Sequence, residues 1–120
     1  MGKSAIIYCR VSTKGQEEEG TSLDSQEAAC VEHAKSLGFT DWRVTREVFT
    51  GAELHDRPLL ARDRDDLKSG RYQALIVYST DRLSRKAVHV AMVAEDCQRH
   101  GVELIFVGIL NEIIVRDLKI

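Results

Sequence analysis

The chain has 120 residues, 43% hydrophobic and 30% charged, which suits one soluble domain with a core of its own. Its 17 basic and 19 acidic residues leave a formal net charge of −2. That excludes the strongly basic surface of a stand-alone duplex-DNA binder, so any such binding must come from a local cluster or from further structure. No apolar run is long enough to span a bilayer, and residues 5–9 are too short for a signal peptide, which points to the cytosol and to no membrane partner.

Residues 4–9 (Ser-Ala-Ile-Ile-Tyr-Cys) are almost continuously apolar, the pattern of a strand buried on both faces. The polar stretch 13–21, with Gly15, Gly20 and glutamates at 17–19, reads as a solvated loop. A helix is predicted over about 23–37. Asp24 or Ser22 can accept the orphan amides of its first turn, Leu23, Cys30, Ala34 and Leu37 make its inner stripe, and Gly38 ends it.

Residues 42–49 alternate and predict a second strand with one wetter face, closed by Thr50-Gly51. Pro58 marks the start of a helix that runs to Ser69, with Leu59, Leu60 and Leu67 inward and Gly70 at its end. Arg62 and Arg64, interleaved with Asp63, Asp65 and Asp66, read as a salt-bridged solvent face of that helix. A third strand is predicted at 73–78 and a helix at 84–99 with Val88, Met92, Val93 and Cys97 inward, closed by His100-Gly101. A fourth strand follows at 102–107, and 108–120 reads as a short apolar helix, with an added strand as the alternative.

Strands alternating with helices predict an α/β fold of three layers, α/β/α, around a mainly parallel sheet of about four strands. Cys9, Cys30 and Cys97 are odd in number and lack metal-ligand spacing, so they read as buried free thiols of a reducing compartment.

Two stretches carry possible chemistry. Arg10 and Ser12 lie two positions apart where the first strand ends, so an extended backbone points both to one side. Asp81-Arg82-Leu83-Ser84-Arg85 follows the third strand. In a parallel sheet both loops open on the same edge, where ligands of open α/β sheets bind. Several arginines beside one serine call for an anion between them, and the guanidinium fork matches phosphate. Ser12 is the hydroxyl framed for attack on it. No His-Asp pair, Walker-type glycine loop or cluster of carboxylates accompanies it, which argues against serine-protease, nucleotide-hydrolysing and two-metal chemistry. Each residue also has a plainer reading: Ser12 as a loop cap, Arg82 and Arg85 as solvated helix-start residues, Asp81 as a helix N-cap and Gln26 as an exposed helical residue.

Tyr8-Cys9-Arg10-Val11-Ser12-Thr13, then Gln16, Ser22-Leu23-Asp24-Ser25-Gln26, Thr50-Gly51 with Asp56-Arg57-Pro58, and Asp81-Arg82-Leu83-Ser84-Arg85 follow one another in order. This series resembles the catalytic domain of the serine recombinases, the resolvase/invertase family, over residues 5 to about 107. The longer loop between Gln16 and Gln26 and the Arg57-Pro58 pair resemble the large serine recombinases of phages and conjugative transposons.

The resemblance implies a resolvase-like fold and a site-specific DNA recombinase. Ser12 would attack a DNA phosphodiester to give a 5′-phosphoseryl link and free a 3′-hydroxyl. Arg10, Arg82 and Arg85 would hold the phosphate, with Arg57 joining them. Asp81 would orient arginines or move a proton, and Gln16 and Gln26 would support the site. Neither a metal nor another cofactor is implied, and strand exchange would follow by rotation within a tetramer built from homodimers.

The family continues into a long dimerisation helix and a DNA-binding domain, both expected to be missing from residues 1–120. The fragment is therefore expected to bind DNA weakly and to be inactive or weakly active alone. The alternative is a truncated or non-catalytic resolvase-like interaction or regulatory module.

Overall fold

The computed structural model describes residues 2–12, 22–48 and 57–107. The polar loop at 13–21, the Thr50-Gly51 turn, Asp56 and the closing segment 108–120 lie outside the described residues.

The element order is β1 (Lys3–Val11), α1 (Leu23–Ser36), β2 (Phe39–Val48), α2 (Pro58–Leu67), β3 (Ala74–Val77), α3 (Thr80–Leu83), α4 (Ala87–Arg99) and β4 (Glu103–Phe106). The four strands form one sheet in the order β2-β1-β3-β4, every neighbouring pair parallel. β1 lies inside the sheet, which is why its apolar run is continuous. Ile6 and Tyr8 enter one core cluster with Leu60, Leu67, Val90, Val93 and Cys97 of α2 and α4. Ala5, Ile7 and Cys9 enter the other with Cys30 and Ala34 of α1. The two-residue period of the strand thus sorts side chains between two helical layers, and the α/β/α architecture is as expected.

Local signals account for the helix ends. Ser22 caps α1, its hydroxyl accepting from the Ser25 amide at 3.1 Å, and α2 begins at Pro58. Gly38, Gly70 and Gly101 follow the long helices with φ of +89°, +85° and +72°, a conformation that glycine adopts without strain.

Several expectations are corrected. β1 runs on to Val11, so Arg10 belongs to the strand, and β2 begins at Phe39. α1 stops at Ser36; Leu37 is its C-cap, 42% exposed, and Gln26 takes an inward position instead. The predicted 84–99 helix begins only at Ala87, because Ser84 is extended (φ −166°, ψ 148°), and a separate short helix, α3, precedes it. In α4 the inward residues are Val90, Val93, Ala94 and Cys97, spaced i, i+3, i+4, i+7. Val88 and Met92 fall on the opposite face and are exposed. Leu59 is half-buried rather than inward.

The α2 face read as solvated is not uniformly so. Asp63 is fully buried, accepting from Arg43 Nη2 at 2.7 Å and Thr45 Oγ1 at 3.0 Å. Burial raises its carboxyl above the ordinary range, with those two partners working against the shift. Arg64 pairs with Asp96 of α4 at 3.2 Å.

Candidate active site

The carboxyl ends of β1 and β3 bring the two motif stretches together. Tyr8 pairs with Val77, the last residue of β3, so Arg10 and Ser12 extend past the end of that strand towards α3. Arg10 is almost fully buried. Its Nε donates to the Arg82 carbonyl at 3.1 Å and its Nη2 to the Asp81 carbonyl at 2.7 Å. Arg57, equally buried, donates through Nη1 to the Leu83 carbonyl. Two guanidiniums therefore sit on three successive carbonyls at the C-terminal end of α3. These carbonyls lack helical partners and carry the negative end of the helix dipole, so cations are the complementary groups. The turn of chain bearing Arg82 and Arg85 is thereby fixed to β1 and to the start of α2.

Gln26 of α1 completes the end of β1. Its Oε1 accepts from the Arg10 amide at 3.1 Å and its Nε2 donates to the Arg10 carbonyl at 3.0 Å. Even-numbered residues of β1 turn their backbone groups towards β3, as the bond from the Gln73 amide to the Ser4 carbonyl at 2.8 Å shows. β3 ends before it can reach Arg10, and one side-chain amide supplies the donor and acceptor that a longer strand would have offered. Gln26 is fully buried, which overturns the exposed reading.

A third buried group escaped the sequence reading. Glu47 of β2 pairs in register with Arg10, and its carboxylate is buried. Glu47 Oε1 accepts from the Tyr8 hydroxyl at 2.6 Å and the Leu60 amide at 3.2 Å, and Oε2 from the Leu59 amide at 2.9 Å. It is the N-cap that α2 lacks, since Arg57 precedes Pro58 and offers no acceptor. Burial, then the bond to Glu47, raises the Tyr8 phenol well above its ordinary value, with Arg57 opposing, so the phenol stays a donor. That missing acceptor was the available signal: a helix opening Arg-Pro needs a carboxylate from elsewhere.

The remaining site residues divide by exposure. Ser12 is half-buried at the end of β1, Arg82 is buried, and Asp81 and Arg85 are exposed. Asp81 is not an N-cap: Ser79 holds that position in α3, and Asp81, the second residue of the helix, accepts from the Ser79 hydroxyl at 2.5 Å. Arg82 is buried, against its plainer reading as a solvated helix-start residue. Gln16 lies outside the described residues. All three cysteines are free and buried, and burial pushes each thiol up to about 12, which removes them as nucleophiles. Among the described residues, no three His, Cys, Asp or Glu side chains gather as a metal-binding group, and no helix is long and apolar enough to cross a membrane.

Comparison with known proteins agrees with this architecture. A protein of Bacillus subtilis (strain 168), described as a DNA recombinase, is 40% identical over 103 residues, which are 85% of this chain. The match takes in 20% of that relative, so the chain spans a fifth of its length. The N-terminal catalytic domain of TP901-1 integrase superposes with a TM-score of 0.81 at 27% identity, covering 97% of this chain and 91% of that one. The C-terminal catalytic domain of ISC1926 TnpA, an IS607-like serine recombinase, shares the fold with a TM-score of 0.74 at 23% identity, covering 96% and 77% respectively. The family model for the resolvase N-terminal domain matches residues 5–114, and this chain belongs to that family.

Proposed function

We propose that this chain is the catalytic domain of a site-specific DNA recombinase, with Ser12 as its nucleophile. The observation that carries the reading is the clasp between β1 and α3: Arg10, two residues from Ser12, holds the backbone of Asp81 and Arg82. Serine and arginine-bearing turn thus form one rigid unit at the sheet edge where α/β ligands sit.

In the reaction, a bond forms between Ser12 Oγ and the phosphorus while the bond from phosphorus to the 3′ oxygen breaks. The hydroxyl proton leaves Ser12, and the departing 3′ oxygen takes up a proton. One phosphodiester replaces another, so rejoining needs no nucleotide hydrolysis. Arg82 and Arg85 supply positive charge to the phosphoryl oxygens, where preorganised donors lower the barrier most. Arg10 and Arg57 keep the arginine turn in place and add their charge, Asp81 orients arginine or accepts a proton, and Gln26 and Gln16 support the β1 end. The partner is duplex DNA, with the full-length protein acting as a homodimer that pairs into a tetramer.

The test uses randomised duplexes whose linkages carry sulfur at the 3′ bridging position. A thiolate leaves without acid help and returns poorly, so the adduct accumulates. The expected result is a covalent protein–DNA adduct mapped by mass spectrometry to Ser12, lost in Ser12→Ala while that variant keeps the wild-type thermal midpoint. An adduct that survives Ser12→Ala, or one that maps to a residue other than Ser12, overturns the reading.

A further inference from the structure

The connection between α3 and α4 is three residues long, Ser84 to Lys86, and Arg85 is its middle residue. Such a link has two problems. The first amides of α4 need an acceptor, yet its N-cap residue, Lys86, has no side-chain oxygen to offer. Arg85 is exposed between the two helices, and the path of its backbone depends on how firmly its two neighbours are held.

Ser84 and His89 solve both. The Ser84 hydroxyl is buried and accepts from the Lys86 amide at 3.1 Å, closing a turn across Arg85. The same oxygen lies 3.1 Å from Nδ1 of His89. The hydroxyl oxygen thus serves two partners at once, the Lys86 amide and the imidazole. His89 also holds the other side of the turn, its backbone amide donating to the Lys86 carbonyl at 3.0 Å. From the α3 side, the Ser84 amide donates to the Thr80 carbonyl at 2.9 Å. The Arg85–Lys86 peptide is thus pinned through its amide, the peptides before Ser84 and after Lys86 are held on either side of it, and the imidazole ties the Ser84 hydroxyl to α4.

We propose that His89 is a positioning residue for Arg85, acting through Ser84 to aim the guanidinium at the phosphate; this rests on the recombinase reading above. Ser84 itself is committed to the turn and is not a second nucleophile.

The test compares His89→Leu, His89→Asn and Ser84→Ala in the whole chain. It reads adduct formation on the 3′-sulfur duplexes at saturating DNA, and amide exchange at Lys86 by NMR without DNA. His89→Leu is expected to slow adduct formation by about tenfold, the scale of a small misplacement of a charged group, with DNA half-saturation unchanged. It is also expected to speed Lys86 exchange. His89→Asn, whose short amide reaches the place of Nδ1, restores both, and Ser84→Ala reproduces the loss. In an Arg85→Ala background His89→Leu adds nothing further.

His89→Asn as poor as His89→Leu, or a full additional loss in the Arg85→Ala background, overturns the proposal. If the wild-type adduct maps to a residue other than Ser12, the recombinase reading falls, and the catalytic part of this inference falls with it. Unchanged Lys86 exchange in His89→Leu overturns the action of His89 on the turn.

Discussion

The side-chain amide of Gln26 forms two hydrogen bonds with a single residue, accepting from the Arg10 amide and donating to the Arg10 carbonyl. A helix thereby pairs with the end of a strand as another strand would, at the residue that also clasps α3. Removing the side chain leaves a buried donor and a buried acceptor without that partner, each costing about 1–3 kcal/mol. Gln26→Ala is therefore expected to lower the urea midpoint by the equivalent of about 2–6 kcal/mol. Gln26→Glu, which keeps the shape but loses the donor and brings a buried charge, is expected to be no better. A midpoint within the range of a surface substitution would show that water replaces the amide.

Glu47 makes a comparable prediction in β2. Its carboxylate is the acceptor for Tyr8 and for two amides at the start of α2. Glu47→Gln keeps the volume but turns a donor towards groups that are themselves donors. A loss of about 1–3 kcal/mol is expected in urea unfolding. The Tyr8 phenol should ionise at lower pH in this variant, because the neighbouring carboxylate is one cause of its upward shift, while burial still holds it above an exposed tyrosine. Ultraviolet titration of the phenolate reads this directly.

The contrast between these residues and the helix glycines shows what a sequence displays. Pro58, Gly38 and Gly70 act within a few residues of themselves, so their meaning is local and legible. The run from Ala5 to Cys9 is legible because a strand between two neighbours must be apolar on both faces. Gln26 and Glu47 act on partners in other elements, and their burial depends on the register of β1 against its neighbours, which no local pattern encodes. Val88 and Met92 were misplaced for a related reason: several apolar stripes fit the stretch 84–99, and only the break at Ser84 and the packing of α4 select one. The meeting of Arg10 with the Asp81–Arg85 stretch was legible, since both follow parallel strands. That Arg10 would grip backbone carbonyls was not, because a carbonyl has no letter in the sequence.

The Arg10 clasp separates a fork from a point charge. Two donors of one guanidinium reach two carbonyls of α3, which a lysine ammonium on a flexible stem does not reproduce. Arg10→Lys is expected to behave like Arg10→Ala in one respect: faster exchange of the Ser84 amide, whose acceptor is the Thr80 carbonyl of the same helix. Adduct formation is expected to fall by about 10²–10³ in Arg10→Ala, the scale of losing one preorganised donor. Arg10→Lys with wild-type exchange and wild-type adduct yield would show that charge alone suffices.

The buried thiols should make the fold less stable as the pH rises into the alkaline range. Burial holds Cys9, Cys30 and Cys97 protonated up to about 12, whereas an unfolded thiol starts to ionise near 9.0. Between those values the unfolded chain has given up protons that the folded chain keeps, so rising pH favours unfolding. The stabilisation each thiol contributes is complete below the unfolded value, declines through the interval and is gone above the folded one. The slope is at most about 1.4 kcal/mol per pH unit for each thiol. The raised Tyr8 phenol acts with the same sign at the upper end. Urea midpoints should therefore fall steadily from about pH 8 to about pH 11, and Cys97→Ala should make that fall shallower. Thiol reagents should leave the native chain unlabelled at the lower pH and label all three cysteines once urea unfolds it. A midpoint independent of pH over this interval, or rapid native labelling, would show that the thiols ionise within the fold.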